Sequence, residues 1–436
     1  MHAKDMILVS VDDHVVEPPT MFDQHLPERW KSRAPRVVRK KDGTDVWVFE
    51  GAQLPNIGLN AVVGRPPEEY GVEPTSYDQM RPGCFDIHER VRDMNANGVL
   101  ASMCFPSFPA FCGQLWARQP DKELALVMSQ AYNDWHVDEW CGTYPGRFIP
   151  LGVPQIWDPK LMADEVRRLA KRGCHAATFS DNPTKLGFPS IHDEHWNPFW
   201  EACCDEGTVI CIHIGSSSGM VFTSMDSPVD VMIHTTPISI VSCAADLLWS
   251  PVLRRYPDLK IALSEGGIGW VPYFLERADY VYEHHKAWTF QDFGDLRPSE
   301  VFRRNIVTCF IDDRAGVKNR HDVGIDTITW ECDYPHSDTT WPRAPERLWE
   351  SLDGVPDDEI HKMTHENAMR LFQLDSFRHI PKEKCRAGAL RAQAVDVDLG
   401  LRSAGGKPPR EGRGHVTSGD ITQQLAQAFA EPLPER

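Results

Sequence analysis

Several features that would decide the class of this chain at once are missing from it. No apolar run approaches the ~20 residues needed to span a bilayer, and the N-terminus has no basic flank followed by an apolar stretch. The expectation is therefore a cytoplasmic protein. No C-x-x-C pair occurs among the twelve cysteines, whose closest members are the adjacent Cys203 and Cys204. That argues against a thiolate metal site or a dithiol redox motif and for reduced thiols in the core, Cys332 included. An excess of positive charge is also missing: the formal net charge is -17, which disfavours nucleic acid or an anionic membrane as partner. No G-x-G-x-x-G follows the first apolar run, which weakens the case for a dinucleotide-binding open sheet.

What is there is a long alternating pattern. With 436 residues, 41% hydrophobic and 25% charged, the chain can bury one large α/β domain. Eight short apolar runs, near 6–12, 99–105, 147–153, 174–180, 207–214, 259–265, 305–310 and 325–332, alternate with helical patterns. Helical stretches are expected at Leu161 to Arg172, Asp121 to Cys141 and Trp196 to Glu206. Eightfold strand–helix alternation predicts a closed parallel (β/α)8 barrel of the TIM type. A doubly wound open sheet is the alternative.

Two segments fall outside the repeat. Residues 33–85 form a long insertion after strand 1, rich in Pro and Gly, in which Val46-Trp47-Val48-Phe49 reads as one arm of a small hairpin. A loop at that place lies on the catalytic face of a barrel and can form a lid. Residues 1–380, insertion included, are expected to be the barrel domain. Residues 381–436 turn polar and Ala/Gly-rich and read as an extended C-terminal tail, on the surface, on a partner subunit or partly disordered.

Catalytic groups of a barrel sit at the C-terminal ends of its strands. Strand 1 ends in Asp12 and His14, which strand alternation places on one face. Strand 5 ends in His213, strand 6 in Glu265 before Gly266-Gly267-Ile268-Gly269, and strand 8 in Asp333-Tyr334-Pro335-His336. Oxygen and nitrogen donors together suit a divalent ion such as zinc, manganese or iron. The glycine run reads as a turn rather than a phosphate cradle, and His175, His192 and His195 as structural or surface residues. Trp330, Trp341, Phe105 and Phe108 read as packing near the strand ends or as pocket walls.

The order of these motifs, Val11-Asp12-Asp13-His14, Cys211-Ile212-His213-Ile214-Gly215, Ser264-Glu265-Gly266-Gly267, Asp333-Tyr334-Pro335-His336 and His365-Glu366-Asn367-Ala368-Met369-Arg370-Leu371-Phe372, resembles the amidohydrolase superfamily. The resemblance is to the amidohydrolase-2 branch, which includes aminocarboxymuconate-semialdehyde decarboxylase, and it runs from Val9 to about Leu374. It implies a (β/α)8 barrel with a metal held by Asp12, His14, His213 and Asp333. Two departures stand out: Asp12 replaces the usual His or Glu of the first-strand motif, and Glu265 replaces a His that handles a proton in decarboxylases of the branch. With Glu265, His336 and Glu17 close by in the motifs, one or two ions are both open, zinc being the first choice and manganese or iron the alternatives.

The resemblance implies an enzyme acting on a small molecule. The first expectation is hydrolysis of an amide, ester, lactone or thioester by a metal-activated water, with Asp333 taking the proton, His336 serving the leaving group and Glu265 assisting. The alternative is a non-oxidative decarboxylase of a small carboxylic acid. Further alternatives are a dinuclear iron or manganese oxygenase, or an idle barrel subunit. The expected assembly is a homo-oligomer, a dimer first, or a hetero-oligomer with a related barrel.

Overall fold

The computed structural model describes residues 1–54, 57–219, 221–405 and 414–423. Its centre is a sheet of eight parallel strands: β1 Val9–Val15, β2 Ala101–Pro106, β3 Phe148–Ile149, β4 Ala176–Phe179, β5 Val209–His213, β6 Ile261–Ser264, β7 Ile306–Phe310 and β8 Ile328–Trp330. Six fall inside one of the eight apolar runs, while β1 and β2 overlap theirs and run on past the ends at residues 12 and 105. The order is β3-β2-β1-β8-β7-β6-β5-β4. Gly152, just past β3, closes the ring on β4: its N–H donates to Ala176 O at 2.9 Å and its carbonyl accepts from Thr178 N at 2.9 Å. A Cβ at Gly152 would lie 2.5 Å from a methyl of Leu169, so any other residue at the closure would have to displace that side chain. The architecture is a TIM barrel with its helices outside. Among the described residues no single helix is long and apolar enough to cross a membrane.

Strand alternation fills the barrel. Val9, Val11, Met103, Phe105, Val209, Cys211, Ala262, Val307 and Cys309 form the inner core, while the alternate residues Ile210, Ile212, Ile261, Leu263, Ile328 and Trp330 pack outward under the helices. Simple alternation after Val9 and Val11 would aim Asp13 inward. It does not, because the pairing of β1 with β2 shifts register between Ser10 and Asp13. This bulge resets the phase, as bulges at strand ends do. Asp13 faces outward, accepting from Ser10 Oγ at 3.0 Å and Tyr334 N at 2.9 Å and from the Ser102 hydroxyl, while Asp12 and His14 turn to the axis.

Buried Arg90, on helix Ile87–Asn97, stands behind this bulge. It donates to Gly83 O at 2.6 Å, to His14 O and to Cys104 Sγ, and its guanidinium lies 4.3 Å over the Tyr334 ring. Its charge also lowers the pKa of Asp13, which burial nevertheless raises to about 6.

Val46 to Phe49 belong to the middle strand, Asp45–Phe49, of a three-stranded antiparallel sheet with Arg36–Arg39 and Ala52–Leu54. Buried Trp47 packs on Phe108 of the loop after β2, with ring centroids 4.4 Å apart. Val62 N and Val63 N donate to Pro335 O at 3.1 and 3.0 Å, and Asn60 Nδ2 to Ser337 Oγ at 3.2 Å. The insertion is therefore tied to the loops after β2 and β8, at the C-terminal edge of the barrel. The C-terminal segment begins at the other end: Ala387 N donates to Met6 O, and Cys385, Ala387 and Leu390 are buried there. It then reaches the insertion through Arg402 N to Gly64 O, and Val416 O accepts from Val229 N beyond β5. The remaining tail positions expected to be extended, 406–413 and 424–436, lie outside the described residues.

Replacing Arg90 with Met should destabilise the protein by about 3–5 kcal/mol, because Asp13 and two carbonyls lose a fully buried cation. Urea denaturation of metal-free protein measures it; a cost under about 1 kcal/mol would contradict this role for Arg90.

Candidate metal centre

The C-terminal ends of β1, β5, β6 and β8 deliver a compact set of donors. Asp12 and His14 enter through the bulge, and His213 is the next inward position after Val209 and Cys211. Asp333 continues the alternation Thr329, Glu331, Asp333 beyond β8. His14 Nε2 lies 3.5 Å from Asp12 Oδ1 and 3.3 Å from Asp333 Oδ1, and His213 Nε2 lies 3.7 Å from Asp12 Oδ2. His336 Nδ1 is 2.9 Å from Asp333 Oδ1, and its ring stacks on that of His14 at 3.7 Å. Donor atoms within 4.8 Å of one another form two triads, Asp12–His14–His213 and His14–Asp333–His336.

Both carboxylate oxygens of Asp12 and of Asp333, both ring nitrogens of His14, and Nε2 of His213 and His336 are buried without a hydrogen-bond partner among the described residues. Such orphaned groups are expensive unless something else pairs with them. Burial, then the charges of Glu331, Glu265 and Asp13, pushes Asp12 well up, while burial and the charges of Glu265 and Asp12 push up Asp333. Burial and its fellow imidazoles hold His14 well below its usual range and His336 at about 4, so both are neutral at pH 7. Neutral imidazoles beside carboxylates that lack donors are the donor set of a divalent cation, and such a cation fits here.

Glu265 is different. Alternation after Ala262 and Ser264 would turn it outward, but its φ of 61° swings the side chain to within 2.9 Å of His213 Nε2. The contact is close without hydrogen-bond alignment, since that nitrogen is still unpartnered. Burial raises the acid, yet the charge and proximity of His213 and the charge of His336 outweigh it and leave Glu265 below the ordinary range. Its side chain is 14% exposed, against 0–5% for the other five. Asp333 also has a left-handed φ, 56°. Two non-glycine residues in that region, each costing on the order of 1–3 kcal/mol, mark strain concentrated at the site.

Some sequence readings find another place. Glu17 accepts from Ser107 N at 3.0 Å and Phe108 N at 2.8 Å, so it fastens the loop after β2 and joins neither triad. The Gly266–Gly269 turn does cradle an anion, but its own: Asp313 Oδ2 accepts from Ile268 N at 2.9 Å and Gly269 N at 2.6 Å. His175 binds Glu206 O, His192 binds Asp246, and His195 lies against Trp196. Trp330 and Trp341 pack with their indole N–H groups on Ile311 O and Asp93 O. Phe105 does reach the site, 5.0 Å from His213, whereas Phe108 packs under the insertion.

Three contributors escaped the sequence reading. Phe111 stacks on His213 at 4.1 Å. Asp13 clamps the loop after β8. Glu331, inside the barrel, accepts from Glu265 N at 3.2 Å and from Cys309 Sγ at 2.5 Å, and burial raises it to about 8. Its position two residues before Asp333 was the signal that could have found it.

His213→Ala should lose most bound metal, measured by elemental analysis after loading and desalting, with circular dichroism unchanged; full retention would remove His213 from the centre. The raised carboxylates also set a pH dependence. Groups such as Glu331, ordinarily near 4.5 and raised to about 8 in the fold, contribute stability below 4.5 that is lost as pH rises through 8. Below the ordinary imidazole value of 6.5 the lowered His14 and His336 oppose this trend, so metal-free protein should weaken as pH rises from 6.5 through about 8, and metal should flatten that profile in thermal melts. Equal slopes with and without metal would contradict the electrostatic account.

Comparison with known proteins follows the same lines. The barrel is similar to a solved amidohydrolase from Mycobacterium avium subsp. paratuberculosis K-10, at 20% identity and TM-score 0.63, over 84% of this chain and 99% of that one. It is similar to the 5-carboxyvanillate decarboxylase of Novosphingobium aromaticivorans complexed with manganese and 4-hydroxy-3-methoxy-5-nitrobenzoic acid, at 18% identity and TM-score 0.59, over 84% and 96%. A third is the 2,6-dihydroxybenzoate decarboxylase from Rhizobium, at 18% identity and TM-score 0.53, over 85% and 100%. Likeness at this identity establishes the fold. The amidohydrolase family model matches residues 22–374, and the chain belongs to that family of metal-dependent enzymes.

Proposed function

We propose that this enzyme is a divalent-metal-dependent carboxy-lyase that removes carbon dioxide, without oxidation, from a small organic acid carrying a hydroxyl or carbonyl beside the scissile carboxylate. The observation that carries this reading is the overlap of the two donor triads at His14. One imidazole nitrogen serves one ion, so the overlap favours a single ion over a pair. Asp12, His14, His213 and Asp333 would hold it, zinc or manganese being suited to mixed nitrogen and oxygen donors. When bound, such an ion supplies positive charge that anchors the substrate's oxygens and draws electron density from the breaking bond.

The protein's own groups do the rest. Phe105 and Phe111 present apolar faces beside His213, which exclude water and suit a flat substrate. The carbon–carbon bond breaks with its electron pair left on the substrate carbon, carbon dioxide departs, and that carbon takes one proton. His336 is placed to relay it: its Nδ1 lies 2.9 Å from Asp333 Oδ1, its Nε2 is buried and unpartnered among the described residues, and the neutral ring gives up a proton from one nitrogen as it takes one on the other. Glu265, the most exposed acid of the cluster, then resupplies the proton from solvent. The decarboxylases among the similar structures support this over the hydrolysis first expected from the sequence.

One observation favours hydrolysis as a second reading. Glu265, where the decarboxylases of the branch carry histidine, is held below the ordinary carboxylate range against its burial, chiefly by the neighbouring His213, and a partly accessible anionic carboxylate is suited to act as a general base.

The two readings separate in one assay. Metal-loaded enzyme is incubated with hydroxylated aromatic acids and, in parallel, with aryl esters, lactones and thioesters. The expected result is carbon dioxide release, with deuterium at the vacated carbon in heavy water and a loss of at least about 100-fold in His336→Asn. Acid release from an ester, with no carbon dioxide from any acid, would replace this reading with the hydrolytic one.

A further inference from the structure

Beyond the metal donors, the loops after β2, β4 and β5 meet at Ser216–Gly219, on the His213 side of the mouth. Ser216 is the knot. Its carbonyl accepts from Gln114 Nε2 at 2.6 Å and from Cys112 Sγ at 3.4 Å, and its hydroxyl accepts from Asp181 N at 2.8 Å. Gln114 opens helix Gln114–Arg118, whose last residue, Arg118, extends Nη2 to 3.4 Å from Ser218 Oγ. The turn Pro183–Leu186 just past Asp181 carries Lys185 to the same loop. A Cβ built on Gly219 would sit 3.4 Å from Lys185 Nζ and 3.8 Å from Ser217 Oγ. The ammonium and the hydroxyl thus border one small space that the missing side chain of Gly219 leaves open.

Three properties make this more than a polar rim. Ser217 is 4% exposed and its hydroxyl has no partner among the described residues, which is costly for a buried donor unless a ligand completes it. Arg118 and Lys185 make no ion pair with a carboxylate among the described residues; Asp181, on the loop that carries Lys185, accepts from the Ser216 hydroxyl at 3.2 Å. Finally, two cations converge here on a chain of net charge -17, whose overall field repels anions and whose local field at this wall attracts them. Phe111 links this wall to the centre, since it stacks on His213 and lies 3.8 Å from a Cβ position on Gly215.

We propose that Arg118, Lys185 and Ser217 form an anion subsite that takes a second carboxylate of the substrate, remote from the bond that breaks. The inference rests on the carboxy-lyase reading for the word substrate, and it narrows the substrate class to dicarboxylic acids whose two carboxylates are held apart by a flat, apolar spacer. The metal takes one end and the cationic wall the other, which fixes the register of the molecule across His213 and Phe111. Lys185 and Arg118 supply charge, Ser217 supplies a directed O–H, and Gly219 supplies room.

Binding, not turnover, tests it, so that failure of the carboxy-lyase reading stays distinguishable. Metal-loaded protein is titrated calorimetrically with benzoate, isophthalate and terephthalate. At least one dicarboxylate should bind about tenfold more tightly than benzoate, and the ratio should fall to near one in the double variant Arg118→Gln, Lys185→Gln. Both side chains are exposed, so the variant is expected to fold, and its melting curve verifies that. Gly219→Ala, which keeps both charges but fills the space, should lower the ratio as well. A ratio of one for both dicarboxylates in the wild type, or a preference that survives the double variant, overturns the subsite. Absence of carbon dioxide release with the ratio intact would instead overturn only the carboxy-lyase reading.

Discussion

Five side chains that water would normally serve, Asp12, His14, His213, Asp333 and His336, are buried together, and most of the atoms that face one another have no hydrogen-bond partner among the described residues. This constraint organises the rest of the structure. Carboxylates so close repel unless protons or a cation intervene, and burial multiplies the penalty. Metal-free, the protein resolves it by protonation, with Asp12 and Asp333 pushed up and His14 and His336 neutral. With an ion, as proposed, the same atoms would become ligands and the penalty would turn into affinity.

The scaffold spends stability to hold that arrangement. A bulge in β1 turns Asp12 and His14 inward, and left-handed backbone at Glu265 and Asp333 aims both acids. Compensation is found one layer out. Asp13 clamps the backbone of Tyr334, Arg90 holds the carbonyls of Gly83 and His14, and Asp333 N donates to Asp12 O at 2.9 Å. These contacts join β1 to the loop after β8, so the two halves of the donor set cannot drift apart independently. The insertion adds a second tie by resting Val62 and Val63 on Pro335.

Much of this was legible in the sequence, for identifiable reasons. The eight strands announced themselves because buried parallel strands are short apolar runs between helical periods. His213 and Asp333 were found because a strand end is where a barrel puts chemistry. The fine aim was not legible. A bulge is a register shift between two strands and leaves no mark in either one alone. A left-handed φ at a glutamate runs against its propensity, so Glu265 was placed by the motif and not by its backbone. Phe111 and Glu331 act through packing that only the closed barrel creates, and the glycine run after β6 gave no hint that Asp313 fills it. Glu17, adjacent in sequence to the donors, belongs instead to the loop after β2, because Pro18 and Pro19 follow it and the chain has already left the barrel axis.

The central claim is that one divalent ion resolves the buried crowding at the ends of β1, β5 and β8. Anomalous diffraction from crystals of metal-replete protein, collected at the absorption edge of the bound metal, addresses it most directly. The account predicts a single peak within about 2.0–2.3 Å of donor atoms of Asp12, His14, His213 and Asp333, with Glu265 outside that distance. Two peaks roughly 3.5–4 Å apart sharing Glu265, or a peak away from these four residues, would contradict it.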